Sequence, residues 1–126
     1  MMKRIIQTTS APQAIGPYSQ AVEANGTLYI SGQLPIHPIT GKIPEGIEAQ
    51  TEQCLNNVTA ILNAAGYHLS DVVKSVVLLA EMDDFKQMNA VYAKCYVESQ
   101  PARVCYQVAQ LPLDAKIEIE TTAVKK

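Results

Sequence analysis

The chain has 126 residues, of which 48% are hydrophobic and 17% are charged, and its formal net charge is −2 at pH 7. These values predict one globular domain over residues 1–126. Its few basic residues are scattered, which argues against nucleic acid as a partner. The longest apolar run, residues 76–80, is too short to span a membrane, and no secretory signal follows Lys3-Arg4. Three cysteines without paired spacing indicate free thiols in a reducing cytoplasm, where we expect the protein to reside.

The first part of the chain predicts three strands. Residues 2–8 form a short first strand, and a second strand follows Tyr18 and continues to Ala24. Asn25-Gly26 is typical of a tight hairpin turn, so residues 27–31 return as the third strand. A loop rich in glycine and proline occupies residues 32–46.

The middle of the chain changes to helical periodicity. Apolar residues recur at helical spacing from Ile47 to Ala65, and Gly66 stands where a helix-ending glycine is expected. The β-branched residues of segment 72–80 predict a buried strand. Asp83 or Asp84 is expected to cap a second helix. The apolar stripe of that helix consists of Phe85, Met88, Tyr92, Cys95 and Tyr96.

Two further strands complete the chain, one within residues 102–108 and one over residues 117–124. The order is β-β-β-α-β-α-β-β. It predicts an α+β domain with a mixed sheet of five or six strands and two helices packed on one face. Two helices cover only one face, yet residues 76–79 place large apolar groups on both, and Ile30, Val104 and Val108 add to them. We therefore expect a homo-oligomer that buries the second face, with a small-molecule cleft at its interface.

An arginine lies within the otherwise uncharged fifth strand. Alternation places Arg103 and Cys105 on one face of that strand. A buried guanidinium requires an anion, either a protein carboxylate or a ligand, whereas an edge-strand arginine extends into solvent. The residues of this strand do not decide between the two.

Two glutamates, Glu118 and Glu120, share one face of the final strand, which we expect to neighbour the arginine strand. Either they form a solvated strand face, or Arg103 binds a substrate carboxylate while one glutamate handles protons or water. Asn89 is positioned either to donate a hydrogen bond into the same space or to lie on the surface.

Metal and cysteine chemistry have little support. His37 and His68 are isolated, and no histidine or cysteine pair has ligand spacing, so we expect no metal and no other cofactor. A nucleophilic Cys105 would need a base, and neither histidine is near it in sequence. Cys54 and Cys95 fit small buried hydrophobic residues.

Five motifs in collinear order resemble the RidA/YjgF family over essentially the whole chain. They are Ile15-Gly16-Pro17-Tyr18-Ser19-Gln20-Ala21, Ser31-Gly32-Gln33-Leu34-Pro35, Asn89-Ala90-Val91-Tyr92, Pro101-Ala102-Arg103-Val104-Cys105 and Ile117-Glu118-Ile119-Glu120.

This resemblance implies a homotrimer of chorismate-mutase-like subunits with active sites between neighbours. It implies an enzyme that hydrolyses 2-imino acids, such as 2-iminobutanoate and 2-iminopropanoate, to 2-keto acids and ammonia. Pyridoxal-phosphate-dependent dehydratases such as threonine dehydratase release these imines. Arg103 matches the family's carboxylate-binding arginine, and Glu118 matches the acid that holds the attacking water. The positions that match the rest of the cleft are Tyr18, Gly32, Asn89 and Cys105.

Two other functions remain open at this stage. One is a regulatory module that binds a 2-keto acid in the same cleft without turnover. The other is a ribonuclease or translation inhibitor, an activity also attributed to members of this family. The sparse basic residues argue against this last alternative.

Overall fold

The polypeptide folds in the order β-β-β-α-β-α-β-β, as the sequence predicts. The structure is a computed structural model that describes residues 2–125, so residues 1 and 126 of the predicted domain lie outside the described residues. The elements are β1 (Arg4–Ile6), β2 (Ala21–Ala24), β3 (Thr27–Gln33), α1 (Ile47–Ala65), β4 (Val72–Leu79), α2 (Phe85–Cys95), β5 (Ala102–Gln107) and β6 (Ile117–Val124). Neither helix in this range is both long and apolar enough to cross a membrane.

Strand β1 is shorter than predicted because the chain after it is held by a buried glutamine. The Gln20 amide nitrogen donates to the carbonyls of Thr8 (3.1 Å) and Pro12 (2.7 Å), and its oxygen accepts from the Thr8 N–H at 2.8 Å. These bonds satisfy backbone groups that would otherwise pair in a sheet. The segment between β1 and β2 is therefore a loop, and it lies beside β3, where the Ser31 hydroxyl donates to the Ser19 carbonyl at 2.6 Å.

The hairpin between β2 and β3 is confirmed. Asn25 and Gly26 both have positive φ, 52° and 74°, which is the requirement of the tight hairpin turn that this dipeptide favours. Antiparallel pairing follows directly from the turn, with Ala24 opposite Thr27.

Helix α1 ends as predicted, whereas the start of α2 differs. Gly66 adopts the left-handed conformation (φ 82°) and its N–H closes the last turn of α1. Met82–Asp84 form a 3₁₀ turn ahead of α2. Asp84 holds the N-cap position, as predicted, but it makes no side-chain cap hydrogen bond, so the predicted cap by an aspartate side chain is wrong. Asp84 already has helical backbone angles (φ −85°, ψ −2°), whereas a capping side chain usually projects from an extended residue.

The sheet has the strand order β1-β2-β3-β6-β4-β5. Only β4 and β5 pair in parallel; the other neighbouring strands are antiparallel. The α1 crossover from β3 to β4 leaves a space one strand wide, and β6 fills it. Strand β4 therefore separates β6 from β5, and the expectation that the glutamate strand neighbours the arginine strand is wrong.

The two faces of the sheet differ in what covers them. Both helices pack on one face, where Val77, Leu79, Ile117 and Ile119 are fully buried. Ile30 also lies there, 2% exposed, and so does not add to the uncovered surface. The other face carries exposed large side chains: Tyr29 (54%), Val104 (42%), Tyr106 (51%) and Val124 (43%).

Candidate active site

Arg103 projects from the edge strand β5 toward helix α2. Its NH1 group donates to Asn89 Oδ1 at 2.7 Å. The guanidinium carbon lies 4.8 Å from the ring centroid of Tyr92 and 5.6 Å from that of Phe85. Phe85, Asn89 and Tyr92 are spaced four and three residues apart, which places them on one side of the helix. One helix face thus orients the guanidinium through a hydrogen bond and two cation–π contacts.

No carboxylate neutralises Arg103 within the described part of the chain. The ion pair found there joins Arg4 Nε to Glu23 Oε1 at 2.9 Å, at the far edge of the sheet. A cavity of about 510 Å³ opens beside the guanidinium. The structure therefore presents an oriented, half-buried cation with donors left for a ligand. We call this region the arginine half-site. It comprises Phe85, which contacts the guanidinium, and the residues that line the cavity: Asn89, Tyr92, Ala93, Tyr96, Gln100, Pro101 and Arg103.

Glu118 projects from the opposite face of the sheet. In the strand register Leu78 pairs with both Glu118 and Tyr106, whereas Val77 pairs with both Cys105 and Ile119. Side chains that are paired across strands share a face. Glu118 therefore lies on the open face with Tyr106, and Arg103 lies on the helix-covered face with Cys105.

The Glu118 carboxyl group packs directly against the backbone of Gly32. The pairing of β3 with β6 shifts register between Ile30 and Gln33, which indicates a bulge at this point. A Cβ atom on Gly32 would lie 2.9 Å from the Glu118 carboxyl carbon and would overlap one carboxylate oxygen. Gly32 therefore serves to leave room for the carboxylate.

A cavity of about 570 Å³ surrounds this carboxyl group. Tyr18 and Gly32 line it together with Glu118, and apolar side chains form much of the remaining wall. Burial raises the pKa of Glu118 above its ordinary 4.5, and the charge of Glu120 adds a smaller rise. We call this region the glutamate half-site; it includes Ile15, Tyr18, Gly32, Leu34, Ile36, Leu113 and Glu118.

Five of the six predicted site residues lie in one of the two half-sites, and Cys105 lies in neither. Arg103 and Asn89 meet in the arginine half-site, and Tyr18, Gly32 and Glu118 meet in the glutamate half-site. Cys105 packs partly buried against the core and lines neither cavity. Burial raises the pKa of the Cys105 thiol, against a smaller opposing effect of the Arg103 charge. This environment keeps the thiol protonated and weakly nucleophilic.

The other two cysteines are also free thiols, in accord with the prediction. Cys54 is fully buried and its Sγ donates to the Gln33 carbonyl at 3.2 Å, directly beneath the bulge. Cys95 is half-buried at the end of α2 and packs against the core.

The two histidines have local structural roles. His37 Nδ1 accepts from the backbone N–H groups of Ile39 and Thr40, at 3.2 and 3.4 Å. His68 precedes a 3₁₀ turn, and its N–H donates to Asp71 at 2.8 Å. Within residues 2–125 no three histidine, cysteine or acidic side chains are grouped as a metal site requires.

Two aromatic residues of the arginine half-site were not among the predicted site residues. Phe85 and Tyr92 were predicted only as part of the apolar stripe of α2, yet both rings contact Arg103. Their spacing from Asn89 could have identified them, because residues three, four and seven apart lie on the same side of a helix. Ile15 and Leu113, which line the Glu118 cavity, were not predicted because they lie in loops without periodicity.

Comparisons with known proteins agree with this structure. Residues 8–125 match a family model described as Endoribonuclease L-PSP. A RutC family protein of Pyrococcus horikoshii is 54% identical over 126 residues, covering 99% of this chain and all of that protein. The mouse protein named 2-iminobutanoate/2-iminopropanoate deaminase is 47% identical, covering 99% of this chain and 93% of its own length.

Solved structures agree as well. The crystal structure of Escherichia coli TdcF with bound serine superposes with a TM-score of 0.95 at 43% identity, covering 98% of this chain and 99% of that one. Sequence similarity over nearly the full length and a closely similar fold therefore support one assignment: the chain belongs to the RidA/YjgF family.

Proposed function

We propose that this protein hydrolyses 2-imino acids, such as 2-iminobutanoate and 2-iminopropanoate, to 2-keto acids and ammonia. The observation that carries the proposal is the state of Arg103. Its guanidinium is oriented by Asn89, Phe85 and Tyr92, faces a cavity and lacks a carboxylate partner among residues 2–125. A planar fork of N–H donors matches a substrate carboxylate. The mouse relative bears the name of this activity, and TdcF was crystallised with serine, which also carries a carboxylate on C2.

The second requirement is a group that handles the proton of water. A protonated imine is electrophilic at C2, so a positioned water and a base suffice. In the proposed reaction Glu118 takes a proton from the attacking water as the C2–O bond forms. It then returns that proton to the nitrogen. The C2–N bond breaks with release of ammonia, and the C2 hydroxyl gives its remaining proton to Glu118, and from there to solvent, as the carbonyl forms. The raised pKa of Glu118 suits this role, because a base is most effective when its pKa approaches the working pH.

Within one chain the two groups line different cavities. Arg103 and Glu118 project from opposite faces of the sheet, whereas the carboxylate of a 2-imino acid is directly bonded to the carbon that water attacks. We therefore propose that the arginine half-site of one subunit faces the glutamate half-site of a neighbour. The exposed apolar side chains on the open face provide a surface for that neighbour.

In accord with the family resemblance, we propose that this assembly is a cyclic homotrimer of chorismate-mutase-like subunits, each formed by the single domain of residues 1–126. We place the protein in the cytoplasm, where its free thiols stay reduced. There it receives imines from pyridoxal-phosphate-dependent dehydratases. No resident metal or cofactor is needed for the proposed reaction, because its substrate is already electrophilic.

The deciding experiment is Arg103→Ala, assayed on 2-iminobutanoate generated in the cuvette. We expect kcat/KM to fall by about 10³-fold, because the substrate carboxylate loses a charged, bidentate partner. Arg4→Ala is the matched control: it removes an exposed arginine whose partner is Glu23, and activity is expected to persist. Near-full activity of Arg103→Ala as an intact oligomer would contradict the proposal.

A mixing experiment tests the shared site. In trimers assembled from equal amounts of Arg103→Ala and Glu118→Gln subunits, about one quarter of the sites combine two intact half-sites if each site spans two subunits. We expect the mixture to regain activity that both parent proteins lack. Mixed trimers that stay inactive would place Arg103 and Glu118 of one subunit in the same site.

The alternative functions give different results. A 2-keto acid binding module predicts saturable binding without faster ammonia release. The family model's description raises the ribonuclease alternative, but the net charge of −2 leaves little positive potential for a phosphate backbone. Absence of salt-dependent RNA binding by the purified oligomer would exclude it.

A further inference from the structure

Two large apolar side chains are exposed beside the Glu118 carboxylate. Ile15 is 86% exposed and Leu113 is 69% exposed, and both line the same cavity as Glu118. Leu34 and Ile36 extend this apolar wall. Apolar side chains that border a catalytic carboxylate and a cavity of about 570 Å³ have the character of a ligand-binding wall.

The backbone at Leu113 is held in an unfavourable conformation. Leu113 has φ 58° and ψ 25°, and Asp114 follows with φ 54°, so two consecutive residues with Cβ atoms adopt left-handed angles. Buried residues on both sides, Leu111 (4% exposed) and Ala115 (1%), anchor this segment. Strained backbone that persists at a cavity is characteristic of functional positions. Here it accompanies a leucine side chain that lines the cavity instead of the protein core.

We propose that Ile15 and Leu113 form the subsite for the substrate's side chain, and that the enzyme favours 2-imino acids with branched or longer apolar side chains. This inference rests on the proposed function. If C2 is bound between the neighbour's Arg103 and the water held by Glu118, its remaining substituent lies along the apolar wall. Glu118 is the one formally charged residue among those that line this cavity, so acidic substrate side chains are disfavoured.

The test compares two adjacent glycine substitutions. Leu113→Gly removes the apolar contact and relieves the left-handed backbone. Asp114→Gly relieves the same kind of backbone strain one residue later, but Asp114 does not line this cavity. Steady-state kinetics are measured on two imines generated by an amino acid oxidase, one derived from leucine and one from alanine.

We expect the wild-type kcat/KM to be higher for the leucine-derived imine. Leu113→Gly should reduce that value about tenfold while changing the alanine-derived value little, since a methyl group does not reach the wall. Asp114→Gly should preserve the wild-type ratio. Both variants should be at least as thermally stable as the wild type, because glycine tolerates positive φ.

A failure of the proposed function and a failure of the side-chain subsite give different results. A wild-type protein that hydrolyses neither imine contradicts the proposed function itself. Activity on both imines with a ratio unchanged by Leu113→Gly overturns only the side-chain subsite. The same holds if Leu113→Gly instead dissociates the oligomer in light-scattering measurements, because Leu113 would then contact a second copy of the chain and not the substrate.

Discussion

The two half-sites are built in contrasting ways. Arg103 stands on the edge strand β5 and is held by side chains of one helix, at 2.7 Å from Asn89 Oδ1 and 4.8 Å from the Tyr92 ring. Glu118 stands on the interior strand β6, between β3 and β4, and packs on the backbone of Gly32 at a bulge. The side chains of Asn89, Phe85 and Tyr92 orient the arginine. The glutamate instead has room for its carboxyl group because Gly32 has no side chain.

This contrast corresponds to two different chemical tasks. A permanently charged guanidinium in a fixed orientation suits binding, because its charge does not change during the reaction. A carboxyl group whose pKa is raised by burial suits proton transfer, because it is a stronger base than an ordinary carboxylate. Changes to the Glu118 carboxylate or its placement should therefore act mainly on kcat, and changes that affect Arg103 mainly on KM.

The largest effect in the glutamate half-site is expected from Glu118→Gln. Glutamine is nearly isosteric but cannot accept a proton from water, so kcat should fall by ~10²–10⁴-fold with little change in KM. Steady-state kinetics on 2-iminobutanoate measure both parameters. Glu120→Gln, on the same face of β6 and exposed, is the control and should retain most activity. A large rise in KM with normal kcat would assign Glu118 to binding.

Gly32→Ala tests the placement of that carboxylate. The added Cβ would meet the Glu118 carboxyl carbon at 2.9 Å and force the side chain to move, although Gly32 itself lacks a left-handed backbone. A displacement near 1 Å lowers kcat by about 10²-fold. In a Glu118→Gln background the same substitution should cause no comparable further loss. Equal losses in both backgrounds would show that Gly32 acts independently of Glu118.

Tyr92 should affect substrate affinity through Arg103. Tyr92→Leu removes the ring 4.8 Å from the guanidinium, and we expect KM to rise about tenfold with kcat nearly unchanged. Tyr92→Phe keeps the ring and should preserve KM, because the buried Tyr92 hydroxyl lies near Ser75 without a well-formed hydrogen bond. If Tyr92→Phe and Tyr92→Leu raise KM equally, the ring contact is not what positions Arg103.

The smallest effect concerns stability and pH. Because folding raises the pKa of Glu118, the folded state binds its proton more tightly than the unfolded chain does. This contribution to stability is complete below about pH 4.5 and is lost as pH rises through the raised pKa. Glu118→Gln should therefore gain thermal stability relative to the wild type as the pH rises from below 4.5 through the raised pKa of Glu118. Melting temperatures measure the gain, and the exposed Glu52→Gln on α1 should show none.

Local sequence features predicted most secondary elements correctly. Asn25-Gly26 specifies its turn through positive φ, and Gly66 ends α1 for the same reason. Loops were less predictable, because the Gln20 side chain that shortens β1 reaches backbone groups eight to twelve residues away. The predicted side-chain cap of α2 was wrong because a 3₁₀ turn precedes that helix and gives Asp84 helical backbone angles.

The sequence by itself determined the order of strands and helices, the faces of each strand and the family resemblance, since these depend on side-chain periodicity and short motifs. Only the tertiary structure decided that β6 lies between β3 and β4, and that Arg103 and Glu118 project from opposite faces. Strand pairing joins residues far apart in the chain, and no local pattern specifies which strand fills the space left by a crossover. That long-range pairing is the physical reason why we propose that the site is shared between two subunits.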